Sequence, residues 1–168
     1  MTSLIKKADL LYSWFLKAAE VLQSVFLLFI RWFWGYQLLQ TGWGKLTHLS
    51  AVIENFRGWG VPAPSLTAPF ISVLETTAGI LFILGLGSRL IAFPMTINMI
   101  VAYLKVDREA WSSLFSDSPE KFFSATPFPF LVTSLLILLF GPGKISLDAL
   151  IEWYRAKRQK AAPVPPAS

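Results

Sequence analysis

Residues 21–44 read VLQSVFLLFIRWFWGYQLLQTGWG, a stretch of twenty-four residues with one formal charge, Arg31. A helix of about 20 residues rises about 30 Å, the thickness of a bilayer's hydrocarbon core. One such stretch is compatible with the core helix of a soluble protein. Three more follow: 66–86 (LTAPFISVLETTAGILFILGL), 88–106 (SRLIAFPMTINMIVAYLKV) and 124–141 (SATPFPFLVTSLLILLFG). Four in a chain of 168 residues leave no polar face for water, and the composition agrees, with 54% hydrophobic and 15% charged residues. The pattern predicts an all-α, multi-pass membrane protein, a bundle of four transmembrane helices with short interfacial amphipathic helices.

The charges orient that bundle. Lys6, Lys7, Lys17, Arg89, Lys144, Arg155, Lys157, Arg158 and Lys160 fall on one side of the expected spans, and Lys45, Arg57, Lys105, Arg108 and Lys121 on the other. Four of the ten acids, Asp107, Glu109, Asp117 and Glu120, lie in the third connection. The excess of basic residues predicts that both termini are cytoplasmic. The net charge of +5 is thereby accounted for by the membrane and is not a nucleic-acid signal.

Around the membrane domain, 21–150, the sequence predicts two flanking segments. In residues 1–20, Leu4, Leu11, Phe15 and Ala18 share a helical face, as an interfacial helix requires. Residues 151–168 form a basic amphipathic tail that ends in AAPVPPAS (161–168), a composition expected to be disordered. Leu46, Leu49, Ile53 and Phe56 predict another amphipathic helix in the first connection, ended by GWGVPAP at 58–64. The second connection is a few residues long and predicts a tight hairpin. The third, 107–123, has room for a short surface helix.

The chain has no cysteine, which excludes disulfides, thiolate metal sites and thiol redox chemistry within it. One histidine, His48, cannot build a histidine-rich metal site, and no dinucleotide fingerprint, P-loop or zincin motif is present. No covalently bound cofactor is expected.

A charge at the bilayer centre costs at least about 2.5–3.5 kcal/mol, so it needs a partner or a polar cavity. Arg31 lies about 15 Å into the first expected span, Glu75 about 16 Å from the inner end of the second, and Asn98 about 15 Å into the third, each at 1.5 Å per residue. That common depth predicts an Arg31–Glu75 pair near the midplane, either as a structural ion pair or as part of a ligand or proton site. Lys45, at the outer end, is expected to extend into the headgroups. Tyr36, Gln37, Gln40 and Thr41 make the outer half of the first span polar, and Trp43, Trp59 and Trp111 suit interfacial anchoring. Apolar walls with a few hydrogen-bonding groups are what a quinone head group needs. The candidate ligand-binding residues are Arg31, Tyr36, Gln37, Glu75 and Asn98, with quinone as the compatible ligand and no catalytic residue assigned.

Three blocks carry a family resemblance: RWFWGYQLLQTGWGKL at 31–46, PAPSLTAPFISVLETTAGILFILGLGSRL at 62–90, and LLILLFGPGKISLDAL at 135–150. In this order they resemble the DoxX family of small four-span membrane proteins, over residues 25 to 150. The family-motif positions are Arg31, Lys45, Glu75, Arg89, Gly141 and Asp148. DoxX-like proteins include the large membrane subunit of a thiosulfate:quinone oxidoreductase and proteins associated with a terminal quinol oxidase. Others accompany oxidoreductase complexes or biosynthetic gene groups, or act as membrane chaperones. The resemblance implies a redox-associated protein of the bacterial inner membrane, in contact with lipid and with a protein partner or further copies of itself. Two readings stay open: a quinone-interacting subunit of an oxidoreductase, or a non-enzymatic scaffold or assembly partner.

Overall fold

The computed structural model describes residues 2–161. Residues 162–168, and with them nearly all of the expected disordered tail, lie outside the described residues. The described chain is helical, with no strand: α1 (Thr2–Thr47), α2 (Leu49–Gly58), α3 (Pro64–Leu84), α4 (Ser88–Lys105), α5 (Arg108–Ser113), α6 (Glu120–Ser124), α7 (Pro127–Phe140) and α8 (Leu147–Ala161). Its 46-residue first helix is about 69 Å long at 1.5 Å per residue. No turn separates the expected interfacial segment from the first expected span.

Among the described residues, two helices are long and apolar enough to cross a membrane, α1 from Asp9 onward and α3. The 14-residue α7 is apolar but shorter. The 18 residues of α4 include Arg89, Asn98 and Lys105, which lower its hydropathy. Around the assembly α1 packs on α3, α3 on α4, α4 on α7, and α7 back on α1. Leu38, Phe82, Met95, Met99, Tyr103 and Ile137 are among the buried side chains at the centre.

The α1–α3 contact is made by backbone. A Cβ on Gly42 would overlap the Thr76 amide nitrogen, and one on Gly79 would lie 2.5 Å from the Leu39 nitrogen and 2.8 Å from the Gly35 oxygen. Small residues let membrane helices approach this closely, and here they fix the antiparallel register. Residue 42 sits opposite 75–76, and residues 35 and 39 opposite 79.

The turns follow from residue type. Pro64 begins α3 at a position where its missing N–H is not needed. Gly85 (φ 67°) and Gly87 (φ 55°) take left-handed conformations that make the short α3–α4 hairpin. The third connection holds two short helices, α5 and α6. They are fastened to α4 by Tyr103, whose hydroxyl donates to the Phe122 carbonyl at 2.7 Å and whose ring stacks on Phe122 at 4.6 Å. α2 carries the buried Phe56 and packs on α3, as its spacing predicts.

Replacing Gly79 by Val should cost about 1–3 kcal/mol or more, because the neighbouring backbone cannot yield. Gly44 has open space around its Cα, with nothing within 4 Å of where a methyl group would stand. It should tolerate Ala and gain up to about 1 kcal/mol of helix propensity. Thermal melting in detergent should therefore fall for Gly79→Val and hold or rise for Gly44→Ala.

Candidate ligand site at Glu75

The register of α1 on α3 decides which cation reaches Glu75. Side chains on a helix lean toward its N-terminus. On antiparallel helices, the side chains of Lys45 and Glu75 therefore lean toward opposite ends. Lys45 Nζ donates to both carboxylate oxygens of Glu75, at 2.7 Å each. Asn98 Nδ2, from α4, donates to Glu75 Oε1 at 3.3 Å. The Glu75 side chain is 4% exposed and that of Lys45 33%. Three helices thus converge on one buried carboxylate whose charge is compensated by a partly exposed ammonium.

This triad lies on a cavity of about 430 Å³. α1, α2, α3, the C-terminal end of α4 and the start of α7 line it, with Phe56, Ile71, Met99 and Phe130 among the apolar walls and Thr41, Asn55 and Lys105 among the polar ones. A volume in the range of small-molecule sites, mostly apolar with convergent polar groups, can hold an amphipathic ring. Lys45 spends its contacts with Glu75 on one side and keeps donor capacity, and Asn98 Oδ1 keeps acceptor capacity.

Arg31 does not pair with Glu75. Its guanidinium is fully buried and lies against Gly85, where a Cβ would meet Nη1. Gly85 is ten residues beyond Glu75 in sequence, about 15 Å along the axis of α3. Nη2 donates to the Ile145 carbonyl at 2.6 Å, while Nε and Nη1 have no hydrogen-bond partner among the described residues. Depth counted from residue 21 misplaces Arg31, because residue 21 is not the end of a helix: α1 runs on through that position. Lys45, expected among the headgroups, takes the place assigned to Arg31. Glu75 and Asn98 do meet as expected.

Tyr36 and Gln37 lie elsewhere. They line a shallow groove on the outer face of α1 with Phe29, Trp32 and Gln40, and Gln40 Nε2 donates to the Tyr36 hydroxyl at 2.9 Å. Tyr36 is more than half exposed.

Arg31 belongs to a second polar assembly, at the opposite end of α3. The loop after α7 turns through Gly141 and Gly143, both with positive φ, and brings Asp148 onto the α3–α4 turn. The Asp148 carboxylate accepts from the Gly87 and Ser88 N–H groups at 2.8 and 3.1 Å, and the Asp148 N–H donates to the Gly85 carbonyl at 2.9 Å. A carboxylate at the first amides of α4 is favoured by the helix dipole. Asp148 is also the acid whose charge acts on Arg31. Nearby, Lys144 donates to Glu20 at 2.7 Å and holds that exposed carboxyl below its ordinary pKa. With Arg89 lying against Gly141, four of the six motif positions, Arg31, Arg89, Gly141 and Asp148, are parts of a clasp, and the other two, Lys45 and Glu75, form the cavity pair. Amphipathic patterning could not reveal this clasp, because its contacts run between loop backbone and side chains distant in sequence.

The family model described as DoxX matches residues 26–108. The match contains Lys45, Glu75, Asn98 and Arg31, and stops before the 135–150 block that carries Asp148. No curated protein and no solved structure matches the chain.

Lys45→Met and Glu75→Gln should each cost about 1–3 kcal/mol, as expected for a charged hydrogen bond in a buried place. The double variant should lose less than their sum by at least about 1 kcal/mol, the signature of direct contact. Arg31→Met with Glu75→Gln should instead add to within about 0.5 kcal/mol. Melting in detergent for the two cycles distinguishes the Lys45 partnership from the Arg31 one.

Proposed function

We propose that the chain, which carries a DoxX domain over residues 26–108, is a DoxX-family membrane protein and a quinone-interacting subunit of a membrane oxidoreductase. The observation that carries this reading is the cavity of about 430 Å³ with the Lys45–Glu75–Asn98 triad on its wall. A quinone carbonyl would accept from Lys45, and the hydroxyl of the reduced form would donate to Asn98 Oδ1 or to Glu75. The ring would sit among Phe56, Met99 and Phe130, and the isoprenoid tail would leave toward lipid. The chain contains no cysteine and no haem or flavin motif, so electrons would come from a partner subunit or a substrate.

The placement that goes with this function is a four-helix transmembrane bundle in a bacterial inner membrane, with both termini cytoplasmic. The spans are the part of α1 that packs along α3, together with α3, α4 and α7. The nine-to-five asymmetry of basic residues supports the orientation. The cavity then opens toward the outer side, beneath α2, and the Asp148 clasp lies on the inner side. A second reading, a scaffold without turnover, is favoured by one feature, the exposed groove of Tyr36, Gln37 and Gln40. Polar side chains facing lipid are better placed against another helix.

An azido-substituted ubiquinone analogue should label peptides containing Lys45, Phe56 or Asn98, and excess unlabelled ubiquinone should suppress that labelling. Lys45→Met should weaken it by at least about tenfold, the loss of one charged hydrogen bond. Labelling spread over the lipid-facing residues of α1 and α3, without competition, counts against a site. Reporter fusions at residues 115 and 160 should report opposite sides of the membrane, and the same side for both would remove the four-span arrangement.

A further inference from the structure

We propose that the groove beside the Asp148 clasp binds the phosphate of an anionic phospholipid, with Arg89 and Arg155 as its charged contacts. The groove has a volume of about 910 Å³ and lies between α1 near Leu27, the start of α4, the 141–144 loop and α8. Three cations line it, Arg89, Lys144 and Arg155, together with three acids, Glu20, Asp148 and Glu152. The charges are not evenly available. Glu20 is taken up by Lys144, and both oxygens of Asp148 accept backbone N–H groups of the α3–α4 turn. Neither Arg89 nor Arg155 makes an ion pair among the described residues. Glu152 alone is left to oppose them.

Arg89 is also held in position. Its guanidinium crosses Gly141, where a Cβ would come within 3.2 Å of Nη2, and Nη2 makes a long contact of 3.4 Å to the Leu139 carbonyl. The group lies against the 139–141 backbone on the groove wall and makes no ion pair among the described residues. Leu90 and Phe140 line the same groove and are 84% and 57% exposed. A guanidinium without an ion pair in one groove with bare apolar side chains matches a phosphate joined to acyl chains, whereas free phosphate would use only the charged part. Basic pockets on the cytoplasmic side of membrane helices recognise anionic head groups in this way. The position of the groove in the headgroup layer rests on the four-span arrangement proposed above.

The test uses the full-length protein, freed of endogenous lipid and returned to mixed micelles with phosphatidylglycerol or phosphatidylcholine, and native mass spectrometry counts the lipid retained. Phosphatidylglycerol should be retained in preference to phosphatidylcholine. Arg155→Gln and Arg89→Gln should each weaken phosphatidylglycerol binding by about fivefold, the effect of one basic residue near an anionic surface, and leave phosphatidylcholine unchanged. Lys105→Gln, at the other end of α4, should change neither. Arg155 lies on an exposed helix, so its variant decides the matter even where Arg89→Gln does not fold. Equal retention of the two lipids, or an unaltered preference in Arg155→Gln, would overturn the proposal. Displacement of the lipid by excess inorganic phosphate would overturn it in favour of a free-anion site. An error in orientation would leave the lipid preference intact and show only in the reporter fusions.

Discussion

Backbone contact between α1 and α3 is the constraint from which the rest of the molecule follows. Gly42 on one helix and Gly79 on the other bring main chains to a separation that excludes a single methyl group, and Gly35 lies close beside Gly79. In water, burial of apolar side chains would drive such an association; among lipid tails there is no comparable gain, and close packing must supply it. The same contact sets the longitudinal register. A shift of one turn, about 5.4 Å, would carry Lys45 out of reach of both oxygens of Glu75. The chemistry of the cavity thus depends on residues that have no side chain.

The two polar assemblies solve the same problem in different ways. Glu75 is enclosed and compensated by Lys45, whose partly exposed ammonium remains in contact with a polar opening. Arg31 has no carboxylate in direct contact and relies on the Ile145 carbonyl, with the field of Asp148 behind it. A guanidinium does not escape burial by losing its proton, whereas a carboxylate can gain one. The arginine lies beside the α3–α4 turn, and the carboxylate lies about ten residues further along α3, between three helices.

Hydropathy and spacing revealed the helices well, because a 3.6-residue period and a 20-residue apolar run are properties of single segments. The helix at 49–58 and the hairpin at 85–87 followed from Phe56 spacing and from paired glycines. What was illegible was relative depth. Asn98 and Glu75 were placed together because both lie on helices that start or stop at the same short hairpin, so counting from that hairpin was sound. Arg31 was misplaced because nothing in an apolar sequence marks where α1 enters the membrane, and the helix gives no break there. Glycine positions, rather than segment ends, held the register, and setting Gly35 against Gly79 would have pointed to Lys45. The clasp was unreadable for another reason: Asp148 binds main-chain groups, which leave no trace in residue type.

Arg31 donates its hydrogen bond to a carbonyl 114 residues further along the chain. Synthesis at roughly 5–20 residues per second places about 6–23 s between the two. Within that interval the rest of α1 and then α3, α4 and α7 are made, all before the carbonyl that Arg31 uses. The Arg31 end of α1 therefore reaches its final hydrogen bonding only once the loop after α7 has been made, so that end of the molecule is completed from the C-terminal side of the chain.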